Sequence, residues 1–214
     1  MKFFFFDLDN TLYPEEAGVH KICSQRIKLY LRRMGMTEEE SETLPAQYYQ
    51  DYGLAIRGLL KHHSVDPRDY DDFVDGGLPL EQLLCPNPSL AATISALEGK
   101  KWVFTNAGIH HAQRTLRVLG LEGVFDGIVW ADYADPGFVC KPEVEAFERA
   151  MKVAGVRVGS DECVFVDDLE MNVEAAKALG WTTVLVRGAR AKEEVSCASA
   201  DFVVGLVDEI KGLF

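Results

Sequence analysis

Two aspartates one residue apart, Asp7 and Asp9, follow directly on four phenylalanines in the stretch FFFFDLDNTLYP, residues 3–14. In an extended segment side chains alternate, so both carboxylates can project to one side with Leu8 opposite. Carboxylates that share a site repel, and one takes up a proton unless a cation holds it ionised while the other exchanges protons with a bound molecule. The same residues also read as a solvated turn with a helix cap, so the pair alone leaves two readings open.

Polar residues close other apolar runs in a similar way. Thr105 and Asn106 end VFTNAG. They are short donors suited to phosphate oxygens near the start of a following helix, or simply a cap. Lys141, in VCKPEVEAF, is a single cation able to offset a phosphoryl group, or ordinary solvated surface. Asp167 and Asp168 close VFVDDLEMN, with Asn172 in the next helical turn. Carboxylates that near a core need a cation or donors. These four signals agree in order, in spacing and in their expected place at one edge of one sheet. That agreement favours chemistry over four unrelated surface features.

The elements that must position them follow from hydrophobic periodicity. Lys2 to Asp7 is apolar without alternation, which predicts a strand covered on both faces, as in a parallel sheet flanked by helices. Runs of the same kind recur at Trp102 to Thr105, Gly127 to Ala131, Cys163 to Asp168, Thr182 to Val186 and Asp201 to Val204. Between them Ile109, Ala112, Leu116 and Leu119 keep helical spacing up to Gly120, and Val173, Ala176 and Leu179 do so up to Gly180. Val144, Phe147 and Met151 repeat the pattern after Pro142, a residue favoured at the first helical position. Alternating strands and helices predict a doubly wound, mostly parallel, Rossmann-like α/β domain whose ligands sit beyond the carboxyl ends of the strands.

From about Glu15 the alternation stops. Val19, Ile22, Cys23, Ile27, Tyr30, Leu31 and Met34 form one helical face ending at Gly35. TEEE, Thr37 to Glu40, reads as a capping box, Asp66 as a cap with Pro67 behind it, and Asn87 as the cap of a helix whose Leu90, Ile94 and Leu97 face the core. The expected organisation is a core of residues 1–14 and 87–214 with an inserted helical domain of residues 15–86.

Composition limits the function classes. The chain has 214 residues, enough to bury roughly 70% of the surface of its unfolded form in one core with an insertion. Hydrophobic residues at 48% and charged residues at 26% fit an ordinary globular protein. No run approaches the roughly 20 apolar residues a bilayer span needs, and MKFFFF matches a signal peptide for only a few residues before the aspartates interrupt it. A formal charge of −12 argues against a nucleic-acid polymer as partner. It leaves room for a small anion, because a divalent metal and one or two basic groups can reverse the field locally. The cysteines Cys23, Cys85, Cys140, Cys163 and Cys197 are odd in number and scattered, which predicts free thiols in a cytoplasmic protein.

In DLDNT, TN, Lys141 and DD the sequence resembles the haloacid dehalogenase-like hydrolase superfamily, across the whole chain, with the helical cap between the first two motifs that marks its subclass I. The resemblance implies that Asp7 is a nucleophile forming an aspartyl-phosphate and Asp9 the general acid and base. It implies that Thr105 and Asn106 bind the phosphoryl group and that Lys141 offsets its charge. Mg²⁺ would be held by Asp7, the Asp9 carbonyl and, of the last pair, Asp168, with Asp167 and Asn172 acting through water or Lys141. Dehalogenases of the superfamily lack the second aspartate, so Asp9 favours phosphate-ester hydrolysis. YYQDYGLAIRGLL, HHSVD, DGGLPLEQLL and DYADPGFVCKPEVEAFERAM further resemble the fungal and plant pyrimidine 5′-nucleotidase-type group, which implies a small phosphate ester, UMP or CMP foremost. A broad sugar-phosphate or lysophospholipid phosphatase, a phosphomutase and a non-catalytic binding protein are the other readings. Tyr52, Gly53, Arg57, Lys61, His62 and His63 are candidates for cap contacts with substrate, or residues of a packed helix with a wet face. His110 and His111 either border the site or begin an exposed helix.

Overall fold

The computed structural model describes residues 1–188 and 200–214; Cys197 lies outside them. Among the described residues the strands are β1 (Lys2–Phe6), β2 (Lys100–Phe104), β3 (Gly127–Val129), β4 (Glu162–Asp167), β5 (Thr182–Val186) and β6 (Phe202–Val204). They form one sheet in the order β3-β2-β1-β4-β5-β6, with every pairing parallel. This is the doubly wound Rossmann-like α/β fold. The chain runs outward from β1 first to one side and then to the other, so a topological switch point lies beside β1. Ligand sites of open α/β sheets gather beyond the carboxyl ends of the strands at such a point.

The phenylalanine run explains why β1 is central. Phe4 and Phe6 enter a cluster on one face with Val103, Val164, Val166 and Val184, while Phe3 and Phe5 enter another with Phe104, Phe165 and Trp181. All four rings are buried. Each contributes roughly 1.5–3 kcal/mol of burial. Helices α6 (Pro88–Ser95) and α7 (Ile109–Val118) cover the first face; α8 (Val144–Ala154) and α9 (Glu170–Ala178) cover the second.

Between β1 and β2 lie α1 (Val19–Arg33), α2 (Glu38–Tyr52), α3 (Ala55–His62), α4 (Pro67–Val74) and α5 (Leu80–Leu83). Thr37 and Glu40 form the expected capping box, Asp66 caps α4 with Pro67 in its first turn, and Asn87 caps α6. Tyr30, Leu31, Tyr48, Ile56, Leu59 and Tyr70 of these helices share a cluster with Ala131, Phe138 and Cys140 from the segment after β3. Leu78, Leu80 and Leu84 instead pack into the sheet-side cluster. Helix α8 starts at Val144, so Pro142 is not its first residue: Glu143, in an extended conformation, occupies the N-cap position. The Glu143 carboxylate accepts a bond from the Cys140 amide at 3.1 Å, which closes a turn before the helix begins. No described helix is long and apolar enough to cross a membrane.

Candidate active site

The end of β1 is tied to β4 by the Asp7 amide, which donates to the Val166 carbonyl at 2.8 Å, and this sets Asp7 beside Asp167. At Asn10 the backbone turns through the left-handed region (φ 59°), a conformation asparagine tolerates better than most residues. The chain doubles back so that the Thr11 hydroxyl donates to Asp7 Oδ2 at 3.3 Å and to Asp168 Oδ1 at 3.4 Å. Carboxylate oxygens of Asp7, Asp167 and Asp168 lie within 4.8 Å of one another.

Lys141 enters from the segment between β3 and α8. Its ammonium is 2.7 Å from Asp7 Oδ1 and 2.7 Å from Asp167 Oδ2, above the rings of Phe104 and Phe165, and its side chain is fully buried. Burial works against that charge, but Asp167 and Asp7 outweigh it and hold Lys141 above the ordinary lysine range. Asn106 fixes the segment from the other side: its amide donates to the Lys141 carbonyl at 2.9 Å and its carbonyl accepts from the Lys141 amide at 2.8 Å. The Thr105 hydroxyl, buried at the end of β2, accepts from the Ala107 amide at 3.0 Å.

The two adjacent aspartates have unequal surroundings. Asp167 Oδ1 accepts from the Leu169 amide at 2.8 Å, Oδ2 from Lys141, and both from the Asn172 side chain at 3.1 Å. Asn172 therefore holds Asp167 directly. Among the described residues Asp168 receives from a side chain the long Thr11 contact alone, and burial followed by the charge of Asp167 pushes its carboxyl up to about 7. Burial also lifts Asp7 well above the ordinary carboxylate range, against the pull of Lys141. The cluster as it stands is short of positive charge on the Asp7–Asp168 side. A hard dication with oxygen preference fits that deficit, with Asp168 rather than Asp167 as the free carboxylate beside Asp7.

Asp9 points elsewhere. Its Oδ1 accepts from His111 Nε2 at 2.7 Å and from the Tyr13 hydroxyl. Burial would raise it, yet His111 and Tyr13 hold it below the ordinary carboxylate range. His111 is buried, whereas its neighbour His110 is exposed. Periodicity carried the signal: His111, Ala112, Thr115, Leu116 and Leu119 make one inward stripe of α7, on which the histidine continues the apolar face.

The cap-side candidates are engaged within the protein. Tyr52 and His62 pair through Oη and Nε2 at 2.7 Å, His63 Nε2 is 2.9 Å from Tyr48 Oη, and Lys61 lies over the Tyr52 ring. Arg57 donates to Glu143 Oε1 at 2.7 Å and to Cys140 Sγ at 3.4 Å, which fastens α3 to the segment carrying Lys141. Gly53 (φ 78°) approaches the same segment, with room for a side-chain carbon only 3.4 Å from Cys140 Sγ. Tyr49, which the sequence reading passed over, is partly exposed, and burial and then the charges of Asp167, Asp168 and Asp7 raise its phenol.

A family model described as haloacid dehalogenase-like hydrolase matches residues 1–180. The chain belongs to that family. Phosphate metabolism protein 8 of Saccharomyces cerevisiae is 36% identical over 196 residues, 86% of this chain, and the chain spans 61% of that protein's length. The glyceraldehyde 3-phosphate phosphatase of Methanocaldococcus jannaschii is 25% identical over 97% of this chain and 96% of its own. The fold recurs in the L-2-haloacid dehalogenase of Xanthobacter autotrophicus, with a TM-score of 0.61, 18% identity, and coverage of 100% of this chain and 98% of that one. A HAD phosphatase from Thermococcus onnurineus gives a TM-score of 0.60 and 22% identity over 100% of this chain and 97% of that one. At those identities the two structures bear on this hydrolase's fold alone.

Proposed function

We propose that this hydrolase is a Mg²⁺-dependent phosphatase that cleaves small phosphomonoesters through an aspartyl-phosphate on Asp7. The observation that carries the reading is the pairing of Asp7 with buried Lys141 inside a three-aspartate cluster, with a second carboxylate, Asp9, two residues on. The phosphatase names of relatives support it, and Asp9 supports ester hydrolysis over dehalogenation.

In this reading an Asp7 oxygen attacks phosphorus while the bond to the leaving oxygen breaks and Asp9 delivers a proton to that oxygen. Asp9 then takes a proton from water, the water oxygen attacks phosphorus, and the bond to Asp7 breaks to release phosphate. Lys141 orients Asp7 and offsets charge on the phosphoryl oxygens, with Thr105 and Asn106 at the same edge as their donors. Asp7, the Asp9 carbonyl and Asp168 would hold Mg²⁺, which supplies Lewis-acid charge at the phosphoryl group. Asp167, saturated by Lys141, Asn172 and Leu169, orients rather than ligates.

Residues 15–86 serve as the cap in this proposal, with Tyr52, Arg57 and His63 shaping the substrate side from the positions their pairings fix. The substrate is a nucleoside 5′-monophosphate, UMP or CMP foremost, and the setting is cytoplasmic. A sugar-phosphate phosphatase is the second reading, favoured by the name of the archaeal relative. Phosphate release from nucleotides, sugar phosphates and lysophospholipid phosphates, with Mg²⁺ or EDTA, tests these points on wild type and Asp7→Asn. Metal-dependent turnover led by UMP or CMP and abolished in the variant supports the whole reading. Turnover led by a sugar phosphate replaces the nucleotide assignment, and turnover untouched by Asp7→Asn refutes the mechanism.

A further inference from the structure

Asp9 is bound asymmetrically. Its Oδ1 accepts two bonds, from His111 Nε2 and from the Tyr13 hydroxyl, whereas no described side chain donates to Oδ2. The Asp9 side chain keeps 34% of its surface exposed while that of His111 keeps 3%. One carboxylate oxygen is thus held by two donors, and the other accepts from no described side chain on a residue whose side chain is about one-third exposed.

His111 is itself locked. It stands in the first turn of α7, with Thr115 Oγ1 3.4 Å from the same ring nitrogen and Nδ1 buried without a partner among the described residues. Its other charged neighbours are Asp75, the C-cap of α4, and Asp71 within that helix. Asp71 lies close against the start of α7: a side-chain carbon at Gly108 would come within 2.9 Å of Asp71 Oδ1. The ring is held between the core helix and a helix of the insertion, and has little freedom to follow Asp9 if Asp9 rotates.

We propose that His111 is a positioning residue that, together with Tyr13, anchors Asp9 Oδ1 and so reserves Oδ2 as the oxygen that exchanges the proton with the ester. The inference rests on the reading of Asp9 as the acid and base. It adds a residue 102 positions away in the chain, and it explains why a histidine stands on the buried stripe of α7. A general acid displaced by an ångström loses about 10²-fold in rate, so anchoring matters on the scale of the acid's whole contribution.

The test uses two esters of different leaving-group demand. An alkyl phosphate needs the proton as its oxygen departs; p-nitrophenyl phosphate barely does. His111→Phe keeps a ring and removes the donor, and is expected to lower kcat/KM about 10²-fold for the alkyl ester and less than about tenfold for the nitrophenyl ester. His111→Gln, whose amide nitrogen can reach the Nε2 position, is expected to recover most of the loss, and Tyr13→Phe to show a smaller version of the same bias. Equal losses on both esters, or a folded Gln variant no better than Phe, would overturn the proposal. Should wild type hydrolyse no ester, the phosphatase reading falls, and nitrogen-15 NMR still decides the anchoring. A slowly exchanging His111 Nε2–H resonance that survives Asp7→Asn and vanishes in Asp9→Ala supports it, and its absence from wild type refutes it.

Discussion

Lys141→Met separates a buried cation that orients chemistry from one that merely fills space. Methionine nearly matches the volume and suits the Phe104 and Phe165 rings, so the change deletes charge with little cavity. Two contacts of 2.7 Å are lost. At an effective dielectric of about 20 each is worth roughly 6 kcal/mol, and several kcal/mol of ammonium desolvation are recovered in exchange. What remains is the penalty of carboxylates buried without their cation, about 3–5 kcal/mol in comparable cases. For a chain of this length that lowers Tm by roughly 6–20 °C.

The sign of the pH dependence follows from Asp7. Its carboxyl is already raised in the folded protein, so its ionisation opposes folding as pH rises above the unfolded value near 3.8. Without Lys141 that opposition grows, because the cluster relieves itself only by binding protons. Urea unfolding in EDTA should therefore show a deficit near the full amount at pH 8 and a much smaller one at pH 5. Saturating Mg²⁺ should return part of it, as the dication takes over the neutralising role. Turnover should fall by at least about 10²-fold even where the variant is folded. A variant within about 1 kcal/mol of wild type at pH 8 in EDTA would refute the account of Lys141 as the cation that makes this carboxylate cluster tolerable.

Phe5 is wedged against Trp181 and Phe104, and Phe5→Ala should cost about 3–5 kcal/mol in urea unfolding; a cost under about 1 kcal/mol would mean that the centre of the sheet can collapse around the void. Mg²⁺ at a hundred times its dissociation constant should stabilise wild type by about 2.7 kcal/mol, and Asp168→Asn should lose most of this shift while Asn172→Ala keeps more of it, as read by calorimetry. Arg114 holds the Glu81 carboxyl down at about 2, so the Glu81 contribution is complete above the ordinary value near 4.5 and disappears as pH falls through about 2. The Tm gap between wild type and Glu81→Gln should accordingly narrow from pH 5 to pH 3, and a constant gap would show that the pair links α5 to α7 without electrostatic contribution.

What could be read from the chain alone was whatever local pattern controls. A phenylalanine run without alternation specifies a strand buried on both faces, and Phe3 to Phe6 divide between the two clusters accordingly. Caps at Thr37, Asp66 and Asn87 depend on residues three or fewer positions away and were legible for that reason. Lys141 could be singled out, but its burial could not, because the rings and carboxylates around it come from β1, β2 and β4. Periodicity puts His111 on the inward stripe of α7, but its pairing with Asp9, 102 positions away, could not be read from the chain. Arg57 read either as a cap contact with substrate or as part of a packed helix with a wet face, and its commitment to Glu143 arises only once α3 meets the turn before α8.

The charge pattern of the site explains how an acidic protein can be built to receive an anion. Around the ends of β1 and β4 stand the carboxylates of Asp7, Asp9, Asp167 and Asp168, and the cations Lys141 and, where protonated, His111. Each cation is matched to particular oxygens: Lys141 joins Asp7 to Asp167, and His111 holds Asp9. Asp168 is left with the weakest compensation among the described residues, and burial together with the charge of Asp167 raises its carboxyl. In the proposed reading Asp7 and Asp168 would hold a dication, which would supply positive charge that favours a phosphoryl group instead of repelling it. The overall charge of −12 would then not set the sign of the potential felt by the proposed substrate. In that reading the sign would depend on a cation beside Asp168, and metal dependence would be built into the same aspartates that carry out the proposed reaction.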